Sequence, residues 1–372
     1  MNGDVLAEIL LHLPVQSLLR FRAVCKSWGN IIDSQSFQKR HTQNDNDDKP
    51  DDTVCLQFSF PNVGNRMLQE LSIKLLHNNK SVMSHASDYY TGFSFGYSPP
   101  NRLGRFVGPV KGLICINPDN PELCTVVCNP FLGQLEILPH LTYLHPDPCQ
   151  IWWHDVALGF HEDYKVVQLL LCKRHQCVHA QLYSRKTNSW MEFSGDRLRV
   201  LDGLHHIPCI PIISRCKNGY FSHWFVHRYN NEGGAIVLAP EILTLDMRNE
   251  VFRTVCLPAS PVGMGSIIFA ENEHSFRRFD FPSVDGSVIT VGINESICEG
   301  NVLRWNHVMN VEVPFSDYKM PLWQPGWVFF YQTTGGALVY DSHARKFICK
   351  HAMLPEGSRI VEYRGSFVSP KN

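Results

Sequence analysis

Thirteen cysteines and eighteen histidines give this chain the side chains for metal or thiol chemistry, provided they converge. A structural zinc site needs four ligands, commonly supplied as paired Cys or Cys/His knuckles. The run Cys172-Lys173-Arg174-His175-Gln176-Cys177 and the pair Cys124 and Cys128 have suitable types at short spacing, and His205-His206 lies near Cys209. None has a matched second half, so no metal site is expected. The adjacent acids Glu162-Asp163 could serve acid–base chemistry, but they precede the strand-like residues 165–170 and read as a turn. No nucleophile elbow, phosphate-cradling loop or zincin motif occurs. The sequence predicts no catalytic residue and no cofactor.

The elements that carry these residues are bounded by composition. The 34 basic and 35 acidic residues nearly cancel, which argues against an electrostatic grip on nucleic acid or an anionic membrane. Hydrophobic residues make up 44% of the 372, enough for a sizeable core in two domains or in one large β domain with an appendage. The apolar residues 166–172 are far short of the roughly 20 that a membrane-spanning helix needs, so no membrane partner is expected. The cysteines are odd in number and irregularly spaced, and Met1-Asn2-Gly3-Asp4 lacks the basic start of a secretory signal. Reduced thiols in the cytoplasm and/or nucleus follow as the expectation.

Residues 1–43 read as short helices. Val5, Leu6, Ile9, Leu10 and Leu13 recur at three- and four-residue spacing on one face. Asp4 stands before them as a candidate N-cap, and Pro14 stops the segment, because it disfavours helical geometry at the residue before it. Leu18, Leu19 and Phe21 begin a second apolar face. Val24, Cys25, Trp28, Ile31 and Ile32 begin a third, and Ser36-Phe37 opens a last turn ending near His41. A module of about forty residues cannot bury all of these alone. The surplus must be covered by the rest of the chain or by a partner.

Residues 44–52 are polar and acidic and read as a solvated linker. Over residues 53–369 the helical period largely vanishes, and short apolar runs bounded by Gly, Pro, Asn and Asp signal strands. A weak repeat recurs, in which a small polar residue ends a strand and a bulky apolar residue lies six positions on. The instances are Asn129 to Leu135, Ser184 to Trp190, Asp246 to Phe252 and Asp341 to Phe347. Each predicts a hairpin, and the recurrence suggests propeller blades close to kelch spacing. The alternatives are an irregular β-sandwich or two smaller β domains. The wider gap between Asp246 and Asp341 leaves room for a further hairpin near Val302-Leu303-Arg304-Trp305, where the pattern is poor.

The N-terminal run, with Asp4-Val5-Leu6, Glu8-Ile9-Leu10, Leu13-Pro14-Val15, Ser17-Leu18-Leu19-Arg20-Phe21-Arg22 and Val24-Cys25-Lys26-Ser27-Trp28, resembles the F-box of plant F-box proteins. One departure is Met1-Asn2-Gly3, standing where the family usually has a Leu-Pro pair; a shortened start or a less firmly docked first turn is the expectation. Further on, Gly108-Pro109-Val110-Lys111-Gly112-Leu113-Ile114-Cys115, Cys128-Asn129-Pro130, Leu158-Gly159-Phe160 with Asp163-Tyr164-Lys165, and Tyr340-Asp341 with Phe347 resemble the plant F-box-associated domain. Kelch-type F-box proteins and the F-box proteins of pollen self-incompatibility loci are similar. Residues 299–319 depart most from that pattern.

The resemblance implies an α+β chain: a small N-terminal helical F-box followed by a mainly-β, propeller-like domain. It implies binding to a Skp-family adaptor, and through it to a cullin and a ring-type catalytic subunit, with the β domain recruiting an unknown protein substrate for ubiquitination. Carried over by position, the adaptor contacts are drawn from Val5, Leu6, Ile9, Leu10, Leu13, Pro14, Leu18, Leu19, Val24, Cys25 and Trp28, some of which must form the module's own core. The alternative function is an F-box scaffold acting without an active cullin ligase. For substrate, the aromatic, loop-like stretches around Trp152, Trp153, Trp224, Trp323 and Trp327 are the candidates, with packing between blades as the competing role for each ring.

Overall fold

The structure is a computed structural model, and it describes residues 3–43, 54–59, 69–79, 82–84, 93–95, 105–117, 124–140, 151–172, 177–193, 199–206, 212–214, 219–232, 235–258, 267–270, 273–281, 289–299, 302–313, 319–324, 327–331, 337–351, 359–363 and 365–371. The linker expected at residues 44–52 lies outside the described residues.

Four helices open the chain: α1 (Gly3–Leu11), α2 (Val15–Phe21), α3 (Lys26–Asp33) and α4 (Gln35–Gln43). Local chemistry sets their ends. Pro14 caps α2 at φ −65, the angle its ring imposes and the one least costly just outside a helix. Ser34 separates α3 from α4: its hydroxyl donates to the Ile31 carbonyl (2.8 Å) and accepts from the Phe37 N–H (3.3 Å), closing one helix and capping the next. Asp4 is not the N-cap expected from sequence. It sits inside the first turn of α1, where its charge still complements the helix dipole.

Inside this module Leu6, Leu10, Leu11, Val15, Leu18, Ile32 and Phe37 are buried together. Two residues from outside it join them, Phe367 fully within the cluster and Leu132 against its side. The rest of the chain therefore covers part of the apolar surplus and leaves part of it exposed.

The β region is built from antiparallel meanders. Arg105–Val110, Leu113–Asn117, Val126–Asn129 and Gln134–Ile137 form one four-stranded sheet in chain order. Ile151–His161, Asp163–Cys172, Cys177–Ser184 and Ser189–Glu192 form a second. Lys319–Gln324, Trp327–Tyr331, Ala337–Asp341 and Lys346–His351 form a third. A further sheet places the late strand Arg359–Tyr363 beside the early strand Val54–Ser59. These sheets are blade-like units, and the chain is α+β with a propeller-like β region.

The four hairpins read from sequence share one register. Asn129 pairs Gln134 and Cys128 pairs Leu135; Ser184 pairs Ser189 and Tyr183 pairs Trp190; Asp246 pairs Val251 and Leu245 pairs Phe252; Asp341 pairs Lys346 and Tyr340 pairs Phe347. The residue four past each leader has positive φ: Gly133 (61), Asn188 (49), Glu250 (56) and Arg345 (50). Where the leader is Asn or Asp, its side-chain oxygen accepts backbone N–H groups inside the turn, such as Phe131 (3.1 Å), Arg248 (2.9 Å) and His343 (2.9 Å). A short polar side chain that folds its own turn is why three of the leaders are Asn or Asp.

The remaining sheet has nine strands. It joins the meander Phe221–Glu232, Ala235–Asp246, Val251–Cys256 to the meander Ile267–Ala270, Phe276–Asp280, Ile289–Glu299, Val302–Val313 through one parallel pair, Cys256 with Val302. The hairpin missing from the repeat is therefore present at residues 289–313. Only two residues separate its strands, and Glu299 pairs Val302 directly, so the six-residue signature does not occur there.

Two compact units can be distinguished. One comprises Met1–Ile116, Thr125–Leu138 and Gln324–Asn372, so that the helices share a unit with strands from both ends of the β region; the other comprises Asn117–Cys124 and Pro139–Trp323. The second has a core of Val167, Leu169, Leu182, Trp224, Leu245 and Phe252, among others. Gly159 of the Leu158-Gly159-Phe160 motif serves that core: a Cβ there would lie 2.3 Å from Met247 Cγ.

Candidate functional site

The helices divide the predicted adaptor contacts into three sets by exposure. Leu6, Leu10 and Leu18 are buried in the module's own core, Leu18 with no exposed surface at all. Val5, Ile9 and Val24 are 52%, 50% and 61% exposed, and Pro14 and Cys25 are also exposed. Leu13, Leu19 and Trp28 are half-buried; the Trp28 ring meets Phe21 edge-on at 5.4 Å. Val5 and Ile9 are four apart on α1 and so share a face. Val24 lies in the turn before α3, and Cys25 is its N-cap residue.

Exposed ion pairs stand beside these apolar side chains. Arg22 pairs with Asp33 (2.7 Å), and Arg40 with Glu8 (2.5 Å). With both partners about half exposed, such pairs contribute little to stability. The Cys25 thiol is held below its ordinary range by the Ser27 hydroxyl at 3.1 Å and by backbone N–H groups of Trp28 and Ser27.

Behind this surface the module is seated by residues the sequence reading did not single out. Phe367 meets the rings of Phe37 (6.5 Å) and His41 (5.4 Å) edge-on. His41 Nε2 donates to the Leu13 carbonyl (2.8 Å). Phe367 is held by its neighbours: Asn129 Nδ2 donates to the carbonyls of Ser366 (2.9 Å) and Val368 (2.8 Å). The Tyr363 hydroxyl donates to the Gly112 carbonyl (2.8 Å) and lies 3.2 Å from Asn129 Oδ1. Burial, with the Cys128 thiol close by, pushes the Tyr363 phenol well above its ordinary range, so it remains a donor. Phe131 stacks on Tyr363 at 5.2 Å. The motif-like runs Lys111-Gly112 and Cys128-Asn129-Pro130 were the available signal for this seat, although nothing local in them points to residues 363–368.

The aromatic candidates for substrate lie in strands, not in the loops expected. Trp152 and Trp153 are near the start of Ile151–His161, Trp323 near the end of Lys319–Gln324, and Trp327 at the start of Trp327–Tyr331. Trp224 is 4% exposed and tilts against Phe252 in the core. For Trp224 the competing role holds: its inward-facing strand position packs the ring into the core.

Of the possible metal ligands, Cys172 and Cys177 are cross-strand partners, and residues 173–176 and Cys209 lie outside the described residues. Cys124 Sγ is 3.3 Å from His140 Nε2, and Cys128 is buried, its thiol pushed up to about 12 by desolvation. Glu162 is a turn residue at φ 60. The Asp163 carboxylate accepts the Tyr164 N–H (2.8 Å) and Arg185 Nη1 (3.1 Å).

Comparison with known proteins matches residues 2–40 to the F-box domain. An F-box/kelch-repeat protein of Arabidopsis thaliana is 28% identical over 192 residues, 50% of this chain and 50% of the relative. An F-box protein of the same plant is 29% identical over 153 residues, 37% of this chain and 45% of that one. The chain thus spans about half the length of these relatives. A third Arabidopsis F-box relative aligns at 23% identity over 320 residues, 83% of this chain, carrying the similarity through the β region. The chain therefore carries an N-terminal F-box domain, and beyond it resembles F-box and F-box/kelch-repeat proteins of Arabidopsis thaliana.

Proposed function

We propose that this chain is the substrate-recognition subunit of a Skp-cullin-F-box ubiquitin ligase. The observation that carries the reading is the division within the F-box. Its core is complete once Phe367 and Leu132 are counted, yet Val5, Ile9, Pro14, Val24 and Cys25 remain exposed. Apolar side chains left bare by a finished core mark a binding surface. The Skp-family adaptor is the partner that F-box domains generally bind.

The chain's contribution to the reaction is then placement. The F-box docks on the adaptor, the adaptor links to a cullin and a ring-type subunit, and the β region holds a protein substrate. Converting an encounter between substrate lysine and charged thioester into a near-unimolecular step is a large rate term without any catalytic group here. Cytoplasm or nucleus is the compartment this reading assigns.

Reconstitution with adaptor, cullin and ring-type subunit tests it. Ubiquitin transfer that depends on this chain supports the reading. A folded chain that binds adaptor but never brings cullin with it contradicts it.

A further inference from the structure

Three stretches far apart in sequence meet at residues 363–368. Asn129, in the hairpin turn, gives both amide hydrogens to the tail carbonyls of Ser366 and Val368. Its oxygen accepts the N–H groups of Phe131 (3.1 Å) and Leu132 (3.3 Å). Asn129 has no exposed surface, and its hydrogen-bonding capacity is spent within this turn and tail. Gly112 sits at φ 74 beneath the tail, where a Cβ would lie 2.5 Å from Ser366 Oγ. The Ser366 hydroxyl closes on the Lys111 carbonyl. Turn, tail and the residue 111–112 corner form one interlocked piece.

That piece projects two apolar side chains, Leu132 from the turn and Phe367 from the tail, and both enter the cluster of the helical module. Asn129 therefore fixes both at once. Without such a lock, a short module joined through a polar segment is free to reorient.

We propose that the tail is a strut that sets the orientation of the F-box against the hairpin Val126–Ile137, with Phe367 as its positioning residue. Within the ligase reading, on which this consequence rests, the strut fixes which surface of the β-bound protein faces the transferring thioester. It narrows the choice of acceptor lysine and leaves adaptor affinity alone, since Phe367 is buried on the module's inner side while Val5 and Ile9 face solvent.

The test uses the full chain with spin labels placed by unnatural amino acids at Asn30 in α3 and at Ile137, both exposed. Wild type should give one narrow distance. Phe367→Ala and Asn129→Ala should each broaden it, and Phe367→Leu should restore it. Asn129→Ala removes no side chain of the helical cluster itself, and circular dichroism of that variant separates detachment from unfolding of the module. A broad wild-type distribution, or a narrow one in both alanine variants, overturns the strut. In the reconstituted ligase, self-ubiquitination mapped by mass spectrometry should spread to additional lysines in the alanine variants at unchanged adaptor affinity; an unchanged lysine pattern contradicts the functional consequence. If wild type does not bind adaptor at all, the docking reading fails, while the distance measurement still decides the strut.

Discussion

Ile9 and Leu10 are adjacent in sequence and opposite in environment: Ile9 is 50% exposed and Leu10 1%. Ile9→Asp places a carboxylate in water and should leave the helical content and melting temperature near wild type while abolishing adaptor capture. Leu10→Asp buries an unpaired charge at a cost of several kcal/mol and should unfold the module. Circular dichroism melts beside pull-downs separate the two; equal adaptor binding by Ile9→Asp would remove α1 from the interface.

Thiol chemistry offers a footprint of the same surface. Cys25 is exposed and its thiol lies below the ordinary range, so more of it is thiolate at a given pH. Desolvation pushes the buried Cys115 and Cys128 the other way, leaving them protonated. Alkylation followed by peptide mass spectrometry should show Cys25 modified far faster than either, with its rate rising at lower pH than an ordinary thiol. Bound adaptor should slow Cys25 alone. Rapid labelling of Cys115 in the folded protein would contradict the core described here.

A buried ion pair holds the second unit. Arg228 donates to both oxygens of Glu241 (2.9 and 3.1 Å), whose side chain is 6% exposed, and also to the Val200 carbonyl (2.7 Å). Arg228→Met strands that carboxylate. We expect a loss of about 2–3 kcal/mol, below the full cost of a broken buried pair because Arg228 itself is 22% exposed. Arg228→Met with Glu241→Gln should recover part of it. Urea unfolding of these two variants and of Glu241→Gln alone measures this, and additive losses would show that the pair is not coupled.

Gly112→Ala asks a Cβ to occupy space held by Ser366, at a φ of 74 that side chains disfavour. A cost of about 2–4 kcal/mol is expected from left-handed strain plus overpacking. The melting temperature should fall, and amide exchange near residues 363–368 should quicken. An unchanged melt would mean that the tail does not need its seat.

The parts of this fold legible in sequence are those with local causes. Asn129, Asp246 and Asp341 were readable because each bonds into the four-residue turn that follows it, and Ser184 because it shares their register. The hairpin at residues 289–313 turns within two residues and left no such mark. The F-box surface was half legible. The spacing placed Val5, Leu6, Ile9 and Leu10 on one face of α1, and the packed module splits that face, with Leu6 and Leu10 inward and Val5 and Ile9 outward. The seat of Phe367 was not legible, because Asn129 and Ser366 are 237 positions apart and no period or spacing connects them.

The docking claim at the centre of this account is tested most directly by the affinity of a purified Skp-family adaptor for wild type and for a Val5→Asp, Ile9→Asp double variant. The account predicts a one-to-one complex with wild type and a loss of at least about thirtyfold in the variant, the scale expected when interface anchors are replaced by charge, with the melting temperature preserved. A well-folded wild type that ignores the adaptor, or a variant that binds it equally well, would contradict it.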